Sequence, residues 1–349
     1  MAVQKIHIDD FIALAHKALV IDVRSPGEFE HAHIPSAYSL PLFNNEERAI
    51  VGTTYKQKSR EAAIKIALPF FGEKMKTLIE NVEAWVANFN KDEGNEKPTI
   101  IVHCWRGGMR SGAVAWLLDL YGFKVVQLQG GYKAYRKWVL AQFDKKYPLK
   151  VLGGYTGSGK TETLDALKNK NIPVIDLEGL AHHKGSSFGA LGQAPQPSQE
   201  MFENKLAQAL SLIEPTEHCV WIEDESQRIG TVMIPNSFFS LLRNSVCYFI
   251  EIPFNERLQF ITSSYGKFDK ESLISATQRI QKRLGGLETK NALNYFNEGA
   301  IENAFGILLK YYDKWYEKNT QKNASIPKAM VIRIPASKVD PIANASLLE

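Results

Sequence analysis

Lys150-Val151-Leu152-Gly153-Gly154-Tyr155-Thr156-Gly157-Ser158-Gly159-Lys160-Thr161 runs from a short hydrophobic strand through a glycine-rich turn into residues with helical spacing. Within it, Gly154 and then Gly159-Lys160-Thr161 stand at the spacing of a P-loop, and the strand–loop–helix setting is the one that mechanism requires. Backbone amides around Gly154, Gly157, Ser158 and Gly159 cradle two linked phosphates, Lys160 neutralises their charge, and Thr161 offers a hydroxyl to Mg²⁺. A P-loop grips a diphosphate whatever is attached to it, so the motif fixes no nucleotide.

Outward from this point the chain reads as α/β. Ile172–Asp176, Cys219–Glu223 and Val246–Ile250 are buried-strand candidates, and residues 271–319 are mostly helical. Val220-Trp221-Ile222-Glu223-Asp224-Glu225 ends a hydrophobic strand in carboxylates, as a Mg²⁺-binding strand end would; Asp224 is the preferred ligand and Glu223 the next. His182 and His183 are adjacent, and sequence neighbours seldom ligate one ion, so they point to a loop or substrate contact rather than zinc. Residues after Ser337 read as a loose tail.

Toward the N-terminus, the polar, proline-bearing stretch 143–150 (FDKKYPLK) marks a linker, dividing the chain into residues 1–145 and 146–349. Two domains are what 349 residues predict, because single cores stop growing at roughly 250–300. Leu19–Ile21, Thr99–Val102 and Val125–Leu128 alternate with helical patterns, Ser111–Tyr121 among them, which makes the first part a parallel α/β domain too. Hydrophobic residues at 44% and charged ones at 23% exclude a disordered or fibrous chain. No run of about 18 apolar residues exists to span a membrane. Lys5, Asp9, Asp10 and Lys17 break any secretory leader, so the expected location is the cytoplasm. A net charge of +4 is mild, but its sign suits phosphate-bearing partners.

Three widely spaced cysteines, 104, 219 and 247, build neither a disulfide framework nor a zinc site. Cys104, however, opens His103-Cys104-Trp105-Arg106-Gly107-Gly108-Met109-Arg110-Ser111 between a strand and a helix. Successive amides of such a loop form an anion-binding nest beside a nucleophilic thiol. Gly107 and Gly108 let the backbone curl, and Arg106 and Arg110 supply cationic forks for oxyanions.

The opening signature (Ile21-Asp22-Val23-Arg24-Ser25-Pro26, Glu28-Phe29, His33–Ala37) and the closing Leu128-Gln129-Gly130-Gly131 resemble the rhodanese family over roughly residues 5–140. In that family a loop cysteine carries sulfur or selenium, here Cys104, while Asp22 and Arg24 look like scaffold residues. Cys104 and Arg110 are one residue further apart than in common sulfurtransferase loops, and the spacing also fits cysteine phosphatases. A stand-alone phosphatase or sulfurtransferase with a regulatory nucleotide-binding domain is therefore the alternative reading.

A rhodanese-like domain followed by a P-loop NTPase-like domain with a helical C-terminal part, bearing CWRGGMRS, GYTGSGKT, LEGLAHHKGSSFG, QPSQEMFEN and EDESQRIG in that order, resembles the bacterial tRNA 2-selenouridine synthase family. The resemblance implies conversion of wobble 2-thiouridine first to an S-geranyl nucleoside, with geranyl diphosphate, then to 2-selenouridine, with selenophosphate. It implies that Arg106, Gly107, Gly108 and Arg110 hold selenophosphate, that Cys104 carries selenium or assists its transfer, and that the P-loop takes geranyl diphosphate with Mg²⁺ on Thr161 or Asp224. The implied partners are a tRNA anticodon region and an enzyme supplying selenophosphate, with no membrane. For tRNA, Lys133, Arg136, Lys137, Lys145, Lys146 and Lys150 form one basic group, interleaved with Tyr132, Tyr135, Trp138, Phe143 and Tyr147; Arg279, Lys282 and Arg283 form a second. An exposed aromatic of the first group is a candidate to stack on an unpaired base.

Overall fold

Ile100, Ile101 and Val102 are fully buried in the middle of a parallel sheet, as an unbroken apolar run in such a sheet must be when both faces are covered. The computed structural model describes residues 3–93, 98–213, 219–322 and 330–349. Its first unit, Met1–Ala141, holds β1 (Gln4–Ile6), β2 (Ala18–Asp22), β3 (Tyr38–Ser39), β4 (Thr99–His103) and β5 (Val125–Leu128), ordered β1-β5-β4-β2-β3 and all parallel. The C-terminal end of central β4 delivers Cys104. Helix Met109–Tyr121 buries Val114, Leu117 and Leu118 on this sheet and stops at Gly122, which takes the left-handed conformation of a helix C-cap. Two helices that the periodicity did not reveal, Asn45–Gln57 and the 34-residue Arg60–Glu93, lie between β3 and β4; Phe71, Leu78 and Val82 of the longer one complete the core.

The second unit, Gln142–Glu349, begins slightly before the expected boundary at residues 145/146, because Phe143 and Tyr147 pack on Phe238 of that unit. Its main sheet contains β6 (Leu149–Gly154), β7 (Val174–Ile175), β8 (Val220–Glu223), β11 (Val246–Glu251) and β12 (Val331–Pro335), ordered β12-β11-β6-β8-β7 and all parallel. A hairpin of β9 (Arg228–Ile229) and β10 (Val232–Met233) stands apart. The P-loop strand β6 is thus central, flanked by β8 and β11. Helices Phe254–Tyr265, Lys270–Arg279, Gly286–Glu298 and Ile301–Lys322 share a separate apolar core of Ile261, Leu273, Phe296, Phe305 and Leu308.

The C-terminal residues are not a loose tail. After β12 pairs with β11, helix Pro341–Ser346 lies on helix Lys160–Asn169, burying Ala345 and Leu348 with Leu164 and Leu167. Alternating apolar residues in a short edge strand, followed by a six-residue helix capped by Asp340, are too brief to register as periodicity. Among the described residues, no helix is long and apolar enough to cross a membrane.

Candidate active site

The P-loop of the second unit closes on itself: the Ser158 amide donates to the Tyr155 carbonyl (3.1 Å), and Gly159, at φ +68°, starts helix Lys160–Asn169. A Cβ on Gly159 would stand 2.6 Å from Val339, so the C-terminal segment presses directly on the loop. Gly154, Gly157, Ser158, Gly159, Lys160 and Thr161 all line one cavity of about 230 Å³. The same cavity has an apolar lining of Phe188, Ile261, Tyr265, Phe305, Leu308 and Leu309, with Ile261 directly against Gly157. These residues belong to the helical core, which borders the P-loop here.

Carboxylates crowd the polar end. Thr161 donates its hydroxyl to Glu178 (3.1 Å), and Glu178, Asp224 and Glu225 face the same cavity. Burial, reinforced by the Asp176 and Glu178 carboxylates, pushes Glu223 well above the ordinary range; one oxygen accepts from the Leu177 amide (2.6 Å) and the other is buried without a partner. Burial and the charge of Glu178 likewise push Glu225 up, against the pull of Lys160. Asp224, the preferred metal ligand from sequence, is otherwise engaged: it pairs with Arg243 at 2.5 Å and accepts from Tyr316 at 2.6 Å. Among the described residues, no three His, Cys, Asp or Glu converge as a metal cage. The adjacent histidines serve the loop, His182 contacting the Pro195 carbonyl at 2.9 Å while burial lowers His183. Lys184, Gly185 and Ser186 of the same stretch line the cavity.

Arg257 and Tyr316 tie helix Ile301–Lys322 beside this cavity, and neither stood out in the sequence. The Arg257 guanidinium donates to the Thr156 carbonyl (3.0 Å) and grips Asp313 with both arms (2.9 and 2.8 Å). Tyr316 ties the next turn to Asp224. The partners lie about 56 and 92 residues apart in sequence, so no local pattern signals them.

In the first unit, Cys104 is buried at the start of its loop and accepts a hydrogen bond from Ser111 Oγ (3.2 Å). Gln127 Nε2 donates to the Gly107 and Gly108 carbonyls (3.0 and 3.2 Å), holding the curl. The amides of Tyr132 and Lys133 donate to the Cys104 and Trp105 carbonyls. Tyr132 in turn carries the Arg24 guanidinium 3.8 Å from its ring centre, and Arg24 is paired with Asp22; both are buried, the scaffold role expected of them. Arg106 is exposed at the loop. Arg110, expected to grip an oxyanion, instead donates to Glu28 with both arms (2.7 and 3.3 Å). Burial alone would raise Glu28, yet Arg110, the Ser25 amide and Arg48 together bring its carboxyl down to about 2, so the pair is ionised at neutral pH.

Gly107 sits at φ +62°, and a Cβ there would stand 2.4 Å from the Leu128 carbonyl oxygen. Gly107→Ala should therefore cost at least about 2 kcal/mol, from left-handed strain plus overlap with backbone that cannot retreat. A lowered Tm for this unit in calorimetry checks it; an unchanged Tm would mean the loop is not held as described.

Most aromatics of the first basic group are packed inside. Helix Gly131–Gln142 buries Tyr132 and Tyr135 and leaves Trp138 half-buried beside Tyr135, while Phe143 is buried against Phe238 and Tyr147 is half-buried. Lys133, Lys137, Lys145 and Lys146 remain exposed, Arg136 is half-buried, and Lys150 lies over the rings of Trp221 and Tyr248. Arg279, Lys282 and Arg283 are exposed on the helical part of the second unit.

A loop cysteine on a rhodanese-type sheet and a P-loop on a second parallel sheet define a two-domain enzyme with one glycine-rich strand-to-helix loop in each domain. Residues 8–137 match the rhodanese-like domain family, and residues 147–339 match the family described as the tRNA 2-selenouridine synthase AAA domain. The tRNA 2-selenouridine synthase of Hydrogenovibrio crunogenus is 35% identical, the match covering 90% of this chain and 92% of the relative. Those of a Sulfurovum species and of Shewanella sediminis are 34% and 36% identical, covering 88% of this chain in each case and 90% and 89% of theirs. The chain belongs to the tRNA 2-selenouridine synthase family.

Proposed function

We propose that the protein converts wobble 2-thiouridine of tRNA to 2-selenouridine through an S-geranyl intermediate, with geranyl diphosphate bound in the P-loop cavity and selenophosphate at the Cys104 loop. The observation that carries this reading is the mixed lining of the second unit's cavity. Its P-loop residues suit linked phosphates, and Phe188, Ile261, Phe305 and Leu308 in the same lining suit a hydrocarbon chain.

In the first step the thiocarbonyl sulfur attacks C1 of the isoprenoid, the C–O bond breaks, diphosphate departs and the uridine loses its N3 proton. Loop amides and Lys160 stabilise the charge growing on the leaving group. Mg²⁺, when bound, would share that charge; hard oxygens for it stand at Thr161, Glu178 and Glu225, the remaining ligands coming from diphosphate and water. Alkylation turns a poor leaving group into a thiol.

In the second step a selenide equivalent adds at C2 and geranyl thiol leaves. Attack of the Cys104 thiolate on the phosphorus of selenophosphate forms an S–P bond as the P–Se bond breaks and releases hydrogen selenide; water then clears the phosphoryl group. No oxidant enters this sequence, whereas an S–Se bond on Cys104 would need one, or would leave phosphite. Arg106 and the loop amides would hold the phosphoryl oxygens, and the exposed lysines of both units would meet tRNA phosphates.

The test is incubation with thiolated tRNA, geranyl diphosphate and selenophosphate, the nucleosides being identified by mass spectrometry. Inorganic diphosphate should compete with geranyl diphosphate for one site. A strict requirement for ATP in geranylation would overturn the reading.

A further inference from the structure

Helix Ile301–Lys322 carries two stripes with the same spacing. Phe305, Leu308, Leu309 and Tyr312 line the P-loop cavity, while Ile307, Lys310, Tyr311 and Lys314 line a second cleft of about 330 Å³. Trp315 borders both. The cleft bears three cations, Arg283, Lys310 and Lys314, against one carboxylate, Glu288. Exposed Arg279 and Lys282 extend the positive charge along the neighbouring segment. Trp315 is 41% exposed, whereas Tyr132, Tyr135 and Phe143 of the first basic group are buried. The helix that carries it is tied on either side, Asp313 to Arg257 and Tyr316 to Asp224.

Cations beside an open indole on a tied helix make a surface for single-stranded nucleic acid, the cations meeting phosphates and the ring stacking on a base. An indole shared with the diphosphate cavity adds a direction: a base stacked there stands at the mouth of the site where it reacts. We propose that this cleft seats the anticodon loop, with Arg283, Lys310 and Lys314 on its phosphates and Trp315 stacking on the nucleoside presented to the P-loop cavity. The proposal rests on the reading that a tRNA nucleoside reacts in that cavity. It adds Lys310, Lys314 and Trp315 to the interface, none of which basic clustering in the sequence had marked.

The experiment measures binding of an anticodon stem-loop bearing wobble 2-thiouridine to the full-length chain, without geranyl diphosphate. Lys310→Gln/Lys314→Gln should weaken binding at least tenfold and make the slope of log affinity against log salt shallower by about 1.4, two lost single-strand phosphate contacts at about 0.7 each. Trp315→Ala should weaken it between about 5- and 100-fold with the salt slope unchanged, and Trp315→Phe should restore it to within about threefold. Binding of inorganic diphosphate checks that the lysine variant is folded. Wild-type affinity in both the lysine and the alanine variant, or an unchanged slope in a folded lysine variant, would overturn the proposal. The two readings fail separately. Loss of stem-loop binding in these variants alongside an enzyme that never geranylates would remove the isoprenoid donor and keep the cleft; intact stem-loop binding with normal geranylation would do the opposite.

Discussion

Cys104→Ser should stop selenium transfer while S-geranyl tRNA still forms and accumulates. Serine keeps nearly the volume of cysteine, its hydroxyl oxygen can accept from Ser111 as the sulfur does, and the other contacts that shape the loop do not involve the side chain: Gln127 on the Gly107 and Gly108 carbonyls, and Tyr132 and Lys133 on those of Cys104 and Trp105. What is lost is the polarizable nucleophile, and a hydroxyl in its place should slow selenophosphate cleavage by roughly three orders of magnitude or more. The measurement is the nucleoside profile of tRNA incubated with both co-substrates. Undiminished 2-selenouridine in the variant would take Cys104 out of the chemistry.

Lys160→Ala should produce the mirror image. Its ammonium sits at the P-loop, and apart from Lys184 the charged groups around it are carboxylates, Glu178 and Glu225 among them, so its removal would leave a diphosphate departing in this cavity facing more negative charge. Loss of one such stabiliser costs about 2–4 kcal/mol, which slows geranylation by roughly two to three orders of magnitude. Chemically supplied S-geranyl tRNA should still accept selenium, because Cys104 belongs to the other unit. If either folded variant loses both half-reactions, the division of labour between the two loops is wrong.

What the sequence disclosed was what is local. The P-loop and the Cys104 loop each gather their functional atoms within about ten residues of a strand end, and Ile100–Val102 or Val220–Ile222 declare central strands by an unbroken apolar run. What it withheld was who partners whom across the fold. Arg110 reads as an anion fork, and its partner Glu28, 82 residues away, is invisible in the sequence. Asp224 reads as a metal ligand, and the sequence does not show that Arg243 and Tyr316, 19 and 92 residues away, hold its two oxygens in this structure. The apolar wall was invisible for a related reason: Phe188, Ile261, Phe305 and Leu308 come from three separate segments, each resembling ordinary core. In the first basic group the aromatic spacing was legible, but only packing decides that Tyr132 and Tyr135 point inward.

The late position of β12 bears on how the protein is made. The sheet of the first unit is complete once residue 128 has been synthesised, so that unit can fold while the rest of the chain is still on the ribosome. The second sheet lacks its edge until residues 331–335 pair with β11, and the diphosphate loop lacks its backing until Val339 and the Pro341–Ser346 helix arrive. From residue 251 until residues 331–335 follow, the nascent second unit therefore carries an unpaired side on β11, and helix Lys160–Asn169 keeps its face uncovered until the Pro341–Ser346 helix is made, so an edge open to mispairing persists for about eighty residues of synthesis.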